Sequence, residues 1–571
     1  MNLKLKKLLS LIENKYKFYL LVFIFMLFFA SFLQILGISS LLPTVASFFD
    51  NKYQIQNQYL GPVVEIFSSI LGASIFMTLL FLSASIIVFS NLIYILVIFL
   101  ASKLAFFLEK ELKIKISKEL INMEFEKIIR FEKEKTISMY TLEAQRFAIL
   151  INSFADIISR LILIAFLTIY LGIFFPKIIL ILIFLGFFYF IVFTIIRKKI
   201  SYNAIELSKI NENTINIIDQ LFKGFRELKI FNLEKNFLKI FTKDAVKLKD
   251  IRFFSSFFAS SPRYFLEIVI FLFLIIIFSL MDFSENFEIK IAKGAVLFFV
   301  FFKLLPLVQG LFSQLVATQS NTNAIDILYN FFDKQKKEKI QNPLKENSNS
   351  INIFDNISYK NINFSLDQNN IIKDLNLKIN KGEIIGIIGE SGIGKTILLD
   401  LILGFRKPQI GNIEINNQNI NQNELLSFFK NKGSIVSQNG SALNVSALQN
   451  IILESKFDKQ KLEKVLDTCL LPKLFLKDDS INDFYNRKIS TMSGGQIQRI
   501  LMARSLYKGS EILIIDEGLN QLDIENEIEL FDNITKLGIT IIMVYHRISK
   551  SKNFNKIYKL SGKKLTELNA N

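Results

Sequence analysis

Few residue types that build extracellular or metal-bound scaffolds occur in this chain of 571 residues. Cys469 is the single cysteine, which excludes an internal disulfide framework. His546 is the single histidine, and with one cysteine it excludes the His/Cys clusters of structural zinc sites. Charged residues make up only 21% of the chain against 51% hydrophobic, and the mean hydropathy is positive. That balance excludes a purely soluble enzyme and points to a chain partly embedded in lipid. Tryptophan is absent while phenylalanine reaches 59 residues, a drift in composition to which no role is attached. The net charge of +17 suits either nucleic-acid binding or the basic inner loops of a membrane protein, and the apolar runs favour the second.

No charged side chain occurs between Lys17 and Asp50, or from Ile66 to Ser102. The first run is too long for a secretory leader and reads as a retained span, with Lys4, Lys6, Lys7, Lys15 and Lys17 holding its start in the cytoplasm. Further spans are expected at about 157–175, 178–196, 262–281 and 294–316, giving six. The turns near Lys52, Lys177 and Asp282–Lys293 are poor in basic residues, whereas 103–148 and 197–257 are crowded with them. The positive-inside rule thus predicts a multi-pass protein with both termini cytoplasmic. The two basic segments carry helical periodicity and read as long helices leaving the bilayer, tipped by short helices at about 124–132 and 214–226. Residues 332–350 are polar and read as a linker between a membrane domain, 1–331, and a second domain, 351–571.

Beyond 351, short β-branched runs alternate with helical ones. The strand pattern ending at Ile388 runs into Gly389, Glu390, Ser391, Gly392, Ile393, Gly394, Lys395 and Thr396, then into a helix. This is a phosphate-binding loop: glycines let backbone N–H groups converge on phosphate oxygens, Lys395 neutralises them, and the Thr396 hydroxyl can ligate Mg²⁺. A second strand, Ile512–Ile515, ends in Asp516 and Glu517, an arrangement that suits a magnesium-shell carboxylate followed by the group that polarises attacking water. Between them Ser493, Gly494, Gly495 and Gln496 open a helix and make a further anion site.

The order of these motifs, with Gln438 between the phosphate loop and Ser493 and with Asp523 and His546 after Glu517, resembles the ATP-binding cassette (ABC) proteins. The resemblance implies an all-α six-span transmembrane domain fused to a C-terminal α/β P-loop nucleotide-binding domain, of the type IV-like exporter kind. It implies ATP and Mg²⁺ as cofactors, Thr396, Gln438 and Asp516 at the metal, Glu517 as catalytic base, His546 at the γ-phosphate, and Asp523 at a dimer interface. Gln438 would couple the metal to the membrane domain through the tip helices. Two positions depart from the family pattern. Met492 stands for the usual leucine, a volume-conserving change, and at the adenine-stacking position either Phe364 substitutes with a small register change or the stacking is weak.

One phosphate loop and one signature per chain imply a half-transporter whose partner is a second copy. Its expected place is the bacterial inner membrane, with membrane lipid around it and no nucleic acid. Lys303 and Arg263 lie inside expected spans, where a basic group costs about 2.5–3.5 kcal/mol, so both are candidates for a cavity holding an anionic amphiphile. Asp156 and Arg160, four apart, read as a structural pair. The stretches Asp50–Tyr53, Tyr59–Val63 and Pro262–Glu267 resemble the bacterial lipid-linked oligosaccharide flippases, and in that subgroup Ser90 and Gly310 stand where further arginines are expected. The cargo so implied is a lipid-linked oligosaccharide; the alternatives are an exporter of lipid A, drug or peptide, or an ATP-gated channel.

Overall fold

A computed structural model describes residues 2–39, 69, 75–174, 176, 179–279, 287–341, 353–366, 369–438, 440–472, 481–517, 522–545 and 553–568. The external stretches at 50–53 and 59–63, and His546, lie outside the described residues. The chain forms two compact units: residues 1–123 with 131–342, and residues 343–571 with the short segment Glu124–Arg130.

The first unit is helical: α1 (Asn2–Leu11), α2 (Asn14–Ser39), α3 (Ile75–Ile121), α4 (Phe125–Arg130, grouped with the second unit), α5 (Lys133–Ser138), α6 (Ala144–Phe174), α7 (Ile179–Lys223), α8 (Phe225–Ile230), α9 (Glu234–Ser279), α10 (Phe287–Asn321) and α11 (Asn323–Gln341). Among the described residues four helical stretches are long and apolar enough to cross a membrane: Asn14–Ile38, Phe76–Ile121, Lys133–Ile173 and Phe298–Lys337. The spans expected at 178–196 and 262–281 fall in α7 and α9, many of whose apolar side chains lie outside the described residues. At 1.5 Å per residue the 47 residues of α3 reach about 70 Å, more than twice a hydrocarbon core, so its charged half from Lys103 onward stands clear of the lipid. The same arithmetic holds for α7 and α9, as the periodicity predicts. Phe25, Ile95 and Phe99 stay exposed along the apolar halves, which suits a surface whose solvent is hydrocarbon.

One buried ion pair ties these helices together. A single π-helical turn, Met139–Glu143, joins α5 to α6 and places Glu143 and Arg146 on the same inward face. Arg146 donates to both Glu143 carboxylate oxygens at 3.0 and 3.1 Å, to Ser208 Oγ of α7 at 2.7 Å, and to Asn321 Oδ1 and Ser320 O at 3.1 and 2.6 Å. The last two close the C-terminal end of α10, so one guanidinium fixes where α6, α7 and α10 meet.

The linker reading of 332–350 needs correction at its start, because α11 continues to Gln341. Phe331 and Phe332 pack into the core of α1, α3 and α6, and Lys337 pairs with Asp333 one turn away at 2.7 Å. Periodicity was hidden there because a single buried turn precedes an all-polar one.

The second unit contains two sheets. Strands β1 (Asn356–Leu366), β2 (Asn369–Asn380), β3 (Ile384–Gly389), β4 (Ile410–Ile415), β5 (Gln418–Ile420), β6 (Gly433–Val436), β7 (Ile512–Asp516), β8 (Thr540–Val544), β9 (Lys556–Ser561) and β10 (Lys564–Leu568) divide into an antiparallel sheet β2-β1-β4-β5 and a six-stranded sheet β10-β9-β3-β8-β7-β6. In the larger sheet β9, β3, β8, β7 and β6 are parallel and β10 closes the edge antiparallel. Between the sheets lies a core of Ile357, Tyr359, Leu375, Ile387, Leu398 and Ile514, among others. The helices of this unit are α12 (Lys395–Ile402), α13 (Gln422–Lys432), α14 (Ala447–Ile452), α15 (Lys459–Thr468), α16 (Ile481–Asn486), α17 (Gly494–Tyr507) and α18 (Ile524–Thr535). A second core joins α14, α15, α17 and α18 to β7 and β8, and Cys469 lies fully inside it with its thiol pushed up by burial.

Candidate functional site

Because β3, β8 and β7 run parallel, the turn after β3 and the acids ending β7 emerge from the same edge of the sheet. Open α/β sheets bind ligands at that carboxyl edge. The turn Gly389–Gly394 closes on α12 with Gly392 at φ +79° and Gly394, its N-cap, at φ +109°, conformations that a side chain would strain. A Cβ on Gly389 would come within 2.8 Å of the Leu560 carbonyl, so the loop needs glycine there for room.

Lys395, at the first position of α12, is 6% exposed and folds back over the loop. Its ammonium donates to the carbonyls of Gly389 and Glu390 at 2.9 and 3.0 Å, and stands 3.9 Å from Glu517. Within the loop the Ile393 N–H donates to the Glu390 carbonyl at 3.4 Å, and the head of α12 beside it is where N–H groups would meet an entering anion. Thr396, next in sequence, hydrogen-bonds through its hydroxyl to Asp516.

Asp516 closes β7 and is 6% exposed. Burial drives its carboxyl above the usual range; the Thr396 hydrogen bond opposes this, while Glu517 and Asp400 add to it and Lys395 opposes it. A buried carboxylate whose charge is costly is relieved by a cation. Thr396, Asp516 and the Gln438 amide are oxygen donors of the kind Mg²⁺ takes, with phosphate and water completing the shell. Bound there, the metal would neutralise charge on the phosphate oxygens during transfer. Among the described residues no cluster of three His, Cys, Asp or Glu exists that could hold a metal without such help.

The sign of the Asp516 shift gives a test. Its ionised form costs stability, a cost that sets in as pH rises through the ordinary carboxylate range and is complete above the raised folded value. Asp516→Asn therefore melts higher than wild type without nucleotide at pH 7.5, the gain shrinks at pH 5, and magnesium-dependent hydrolysis is lost. Equal melting temperatures at both pH values would remove the burial cost from the site.

Glu517 follows with φ +50°, a left-handed backbone that costs a glutamate of order 1–3 kcal/mol and turns the carboxylate out of the strand direction. Gln438, just past β6, donates from Nε2 to Glu517 Oε2 at 2.7 Å. The structure therefore joins Gln438, Lys395, Thr396, Asp516 and Glu517 in one constellation. Ser493 caps α17 and, with Gln496, forms a reciprocal capping box, leaving the exposed Ser493 and Gly494 at the head of a 14-residue helix. Met492 packs in the helical core, where leucine would also fit. Asp523 is exposed at the start of α18, with the Asn526 amide holding its carboxyl below the usual range.

Phe364 does not offer a face to a base. It is 2% exposed in the core between the sheets, with the Arg406 guanidinium 5.8 Å from its ring centre. Asn361, at φ +51°, adds a residue to β1, so inward positions pass from Ile357 and Tyr359 to Ile362 and Phe364. Without that bulge Phe364 would point outward.

Sequence reasoning also missed Arg504 on α17, which donates to Asn450 O at 2.9 Å and Ser441 O at 3.2 Å. It pins the segment after Gln438 to α14 and α17, and nothing in its neighbourhood of the sequence marks it for that. Arg263 falls within α9 but its side chain lies outside the described residues. Lys303, on α10, is half-buried.

Residues 372–520 match the ABC transporter family. An export ATP-binding/permease protein of Rickettsia prowazekii (strain Madrid E) is 28% identical over 374 residues, covering 62% of this chain and 61% of its own length. The ATP-dependent lipid A-core flippase of Wigglesworthia glossinidia brevipalpis is 27% identical over 382 residues, 65% of this chain and 63% of its own. The alpha-hemolysin translocation ATP-binding protein of Escherichia coli O157:H7 is 34% identical over 209 residues, 35% of this chain and 29% of its own. The chain thus spans less than two thirds of the length of these relatives. A solved structure described as a bacterial Atm1-family ABC exporter with ATP bound superposes with a TM-score of 0.69 at 17% identity, over 94% of this chain and 93% of that one. Residues 372–520 of the second unit therefore match the ABC transporter family, and the chain shares the fold of that exporter structure.

Proposed function

We propose that this chain is one half of an ATP-driven exporter or flippase, which dimerises with a second copy and moves an anionic amphiphile such as a lipid-linked oligosaccharide from the inner to the outer leaflet of the bacterial inner membrane. The observation that carries the reading is the meeting of Lys395, the Thr396–Asp516 hydrogen bond and the Gln438–Glu517 contact at one sheet edge of a chain that also carries long apolar helices. In two copies, the phosphate loop of one would face Ser493–Gln496 of the other across the nucleotide, with Asp523 at the seam and His546 at the γ-phosphate. Glu517 accepts the proton of the attacking water, and Gln438 carries the state of the site to the short helix α4; the second tip helix, expected at 214–226, is instead the end of α7 followed by the short α8. Phe125 of α4 lies 4.8 Å from Phe405 between ring centres, which supports a role for that helix in reading the cassette.

The cargo assignment rests on cationic residues in the spans, Lys303 and Arg263. Among relatives, one is described as acting on lipid A-core and another on alpha-hemolysin. A second reading, export of an apolar drug or lipid, is favoured by a cavity of about 300 Å³ lined by Tyr189, Phe190, Phe193, Phe301 and Phe312. The test is ATP hydrolysis in lipid nanodiscs with and without a polyprenyl-pyrophosphate oligosaccharide. Stimulation that disappears in Lys303→Ala supports the anionic cargo. Robust hydrolysis indifferent to both the glycolipid and Lys303 leaves the exporter and discards that cargo.

A further inference from the structure

The groups that would hold a terminal phosphate and its metal lie together on one side of the phosphate loop. Thr396 hydrogen-bonds Asp516, Gln438 meets Glu517, and Lys395 stands between the loop and Glu517. A triphosphate whose γ-phosphate meets these residues carries its nucleoside out on the other side, past Gly394 at the head of α12. There the loop touches β2. A Cβ on Gly394 would come within 2.8 Å of Ile371 Cγ2, so the absent side chain is what lets the strand lie against the loop.

The surface at that exit is aliphatic. Ile371 precedes the fully buried Ile372 and stays half-buried at the margin of the core between the sheets, as does Leu366 at the end of β1. From residue 356 to residue 380 the sequence holds two aromatics, Tyr359 and Phe364, and each is 2% exposed. The Tyr359 hydroxyl donates to the Ile402 carbonyl at 2.7 Å, and the Arg406 guanidinium lies over the Phe364 ring. Neither ring is free to stack on a base. The polar side chains at the same corner hold one another: Ser365 donates through its hydroxyl to Asn370 Oδ1 at 2.6 Å. Gln409 clasps the Ser365 backbone with both ends of its amide, accepting from the N–H at 2.8 Å and donating to the carbonyl at 2.9 Å.

Bases are told apart by hydrogen bonds to their edges and, more weakly, by how strongly they stack on an aromatic ring. Aliphatic side chains give every base the same kind of dispersion contact and do neither. We propose that Ile371 and Leu366 form the surface that receives the base, and that the chain therefore hydrolyses GTP, CTP and UTP as well as ATP. The reaction is one and the same: water attacks the γ-phosphorus, the bond to the β–γ bridging oxygen breaks, and the water's proton passes to Glu517. Nucleoside diphosphate and inorganic phosphate then leave. The proposal rests on the reading that nucleotide enters this loop.

The measurement is steady-state phosphate release by the full chain in lipid nanodiscs with Mg²⁺ and each of the four triphosphates. Values of kcat/KM should agree within about tenfold, and Lys395→Ala should depress all four together. Leu366→Tyr supplies the absent ring, so the ratio of purine to pyrimidine kcat/KM should rise about fivefold or more, through KM. Ile371→Ala trims the surface without adding bulk and should raise KM for all four alike, about threefold or more, with kcat unchanged. A wild-type preference for ATP beyond about tenfold, with hydrolysis that Lys395→Ala abolishes, overturns the permissiveness and leaves the nucleotide site standing. Unchanged KM in both Leu366→Tyr and Ile371→Ala, with wild-type melting, puts the base elsewhere and overturns the surface. Hydrolysis indifferent to Lys395→Ala removes the nucleotide site itself and the proposal with it, so the two failures are told apart.

Discussion

Glu517→Gln lowers ATP turnover about 10²–10⁴-fold, the usual share of a general base, while ATP still binds. The expectation follows from how the carboxylate is held. Gln438 fixes one oxygen at 2.7 Å, and the left-handed backbone at Glu517 aims the group away from buried Asp516. A glutamine has the same shape and can still accept the Gln438 hydrogen bond, so the site's geometry survives. What it loses is the ability to take a proton from water. Nucleotide that enters is therefore retained as ATP, and two chains should remain joined around it. Measuring hydrolysis beside the ATP fraction of bound nucleotide checks this. Turnover near wild type would remove Glu517 from the chemistry and leave its backbone strain without a purpose.

What the sequence disclosed depended on how local each feature is. The phosphate loop was legible because Gly389, Gly392, Gly394, Lys395 and Thr396 act within one turn, and their spacing is itself the geometry. Asp516 and Glu517 were legible because a buried strand ends in them. The environment of Phe364 was not, since one inserted residue at Asn361 reverses which side of β1 faces the core, and a period-2 pattern gives no warning of it. The Asp156–Arg160 pair was foreseen from its spacing, yet its position against Pro306 and Gly310 was not. Helical period tells which residues share a face but not which distant helix that face meets. Gly310, read alone, looked like a missing arginine; in the fold it is the space into which an arginine reaches. Glu143 and Arg146 are a similar case, since the π-helical turn between α5 and α6 shifts their face in a way that no 3.6-residue template anticipates.

Lys395→Ala should weaken ATP binding about 10- to 150-fold, because charge-assisted hydrogen bonds are worth about 1.5–3 kcal/mol. Two effects add at this position. The ammonium is the buried positive charge beside the phosphate loop, 3.9 Å from Glu517, and an entering β/γ-phosphate would exchange those contacts for its own. It also satisfies the carbonyls of Gly389 and Glu390, so it shapes the loop before nucleotide arrives. Alanine leaves both carbonyls without that donor and removes the cation that opposes Asp516 and Glu517. The variant should consequently lose affinity for ADP as well as ATP, since both present a β-phosphate to the loop, and should lose more of it at low salt than at high. Titration with a fluorescent nucleotide at two ionic strengths checks the prediction. Unchanged affinity would place the phosphates away from this loop, and a loss confined to ATP would assign Lys395 to the γ-phosphate alone.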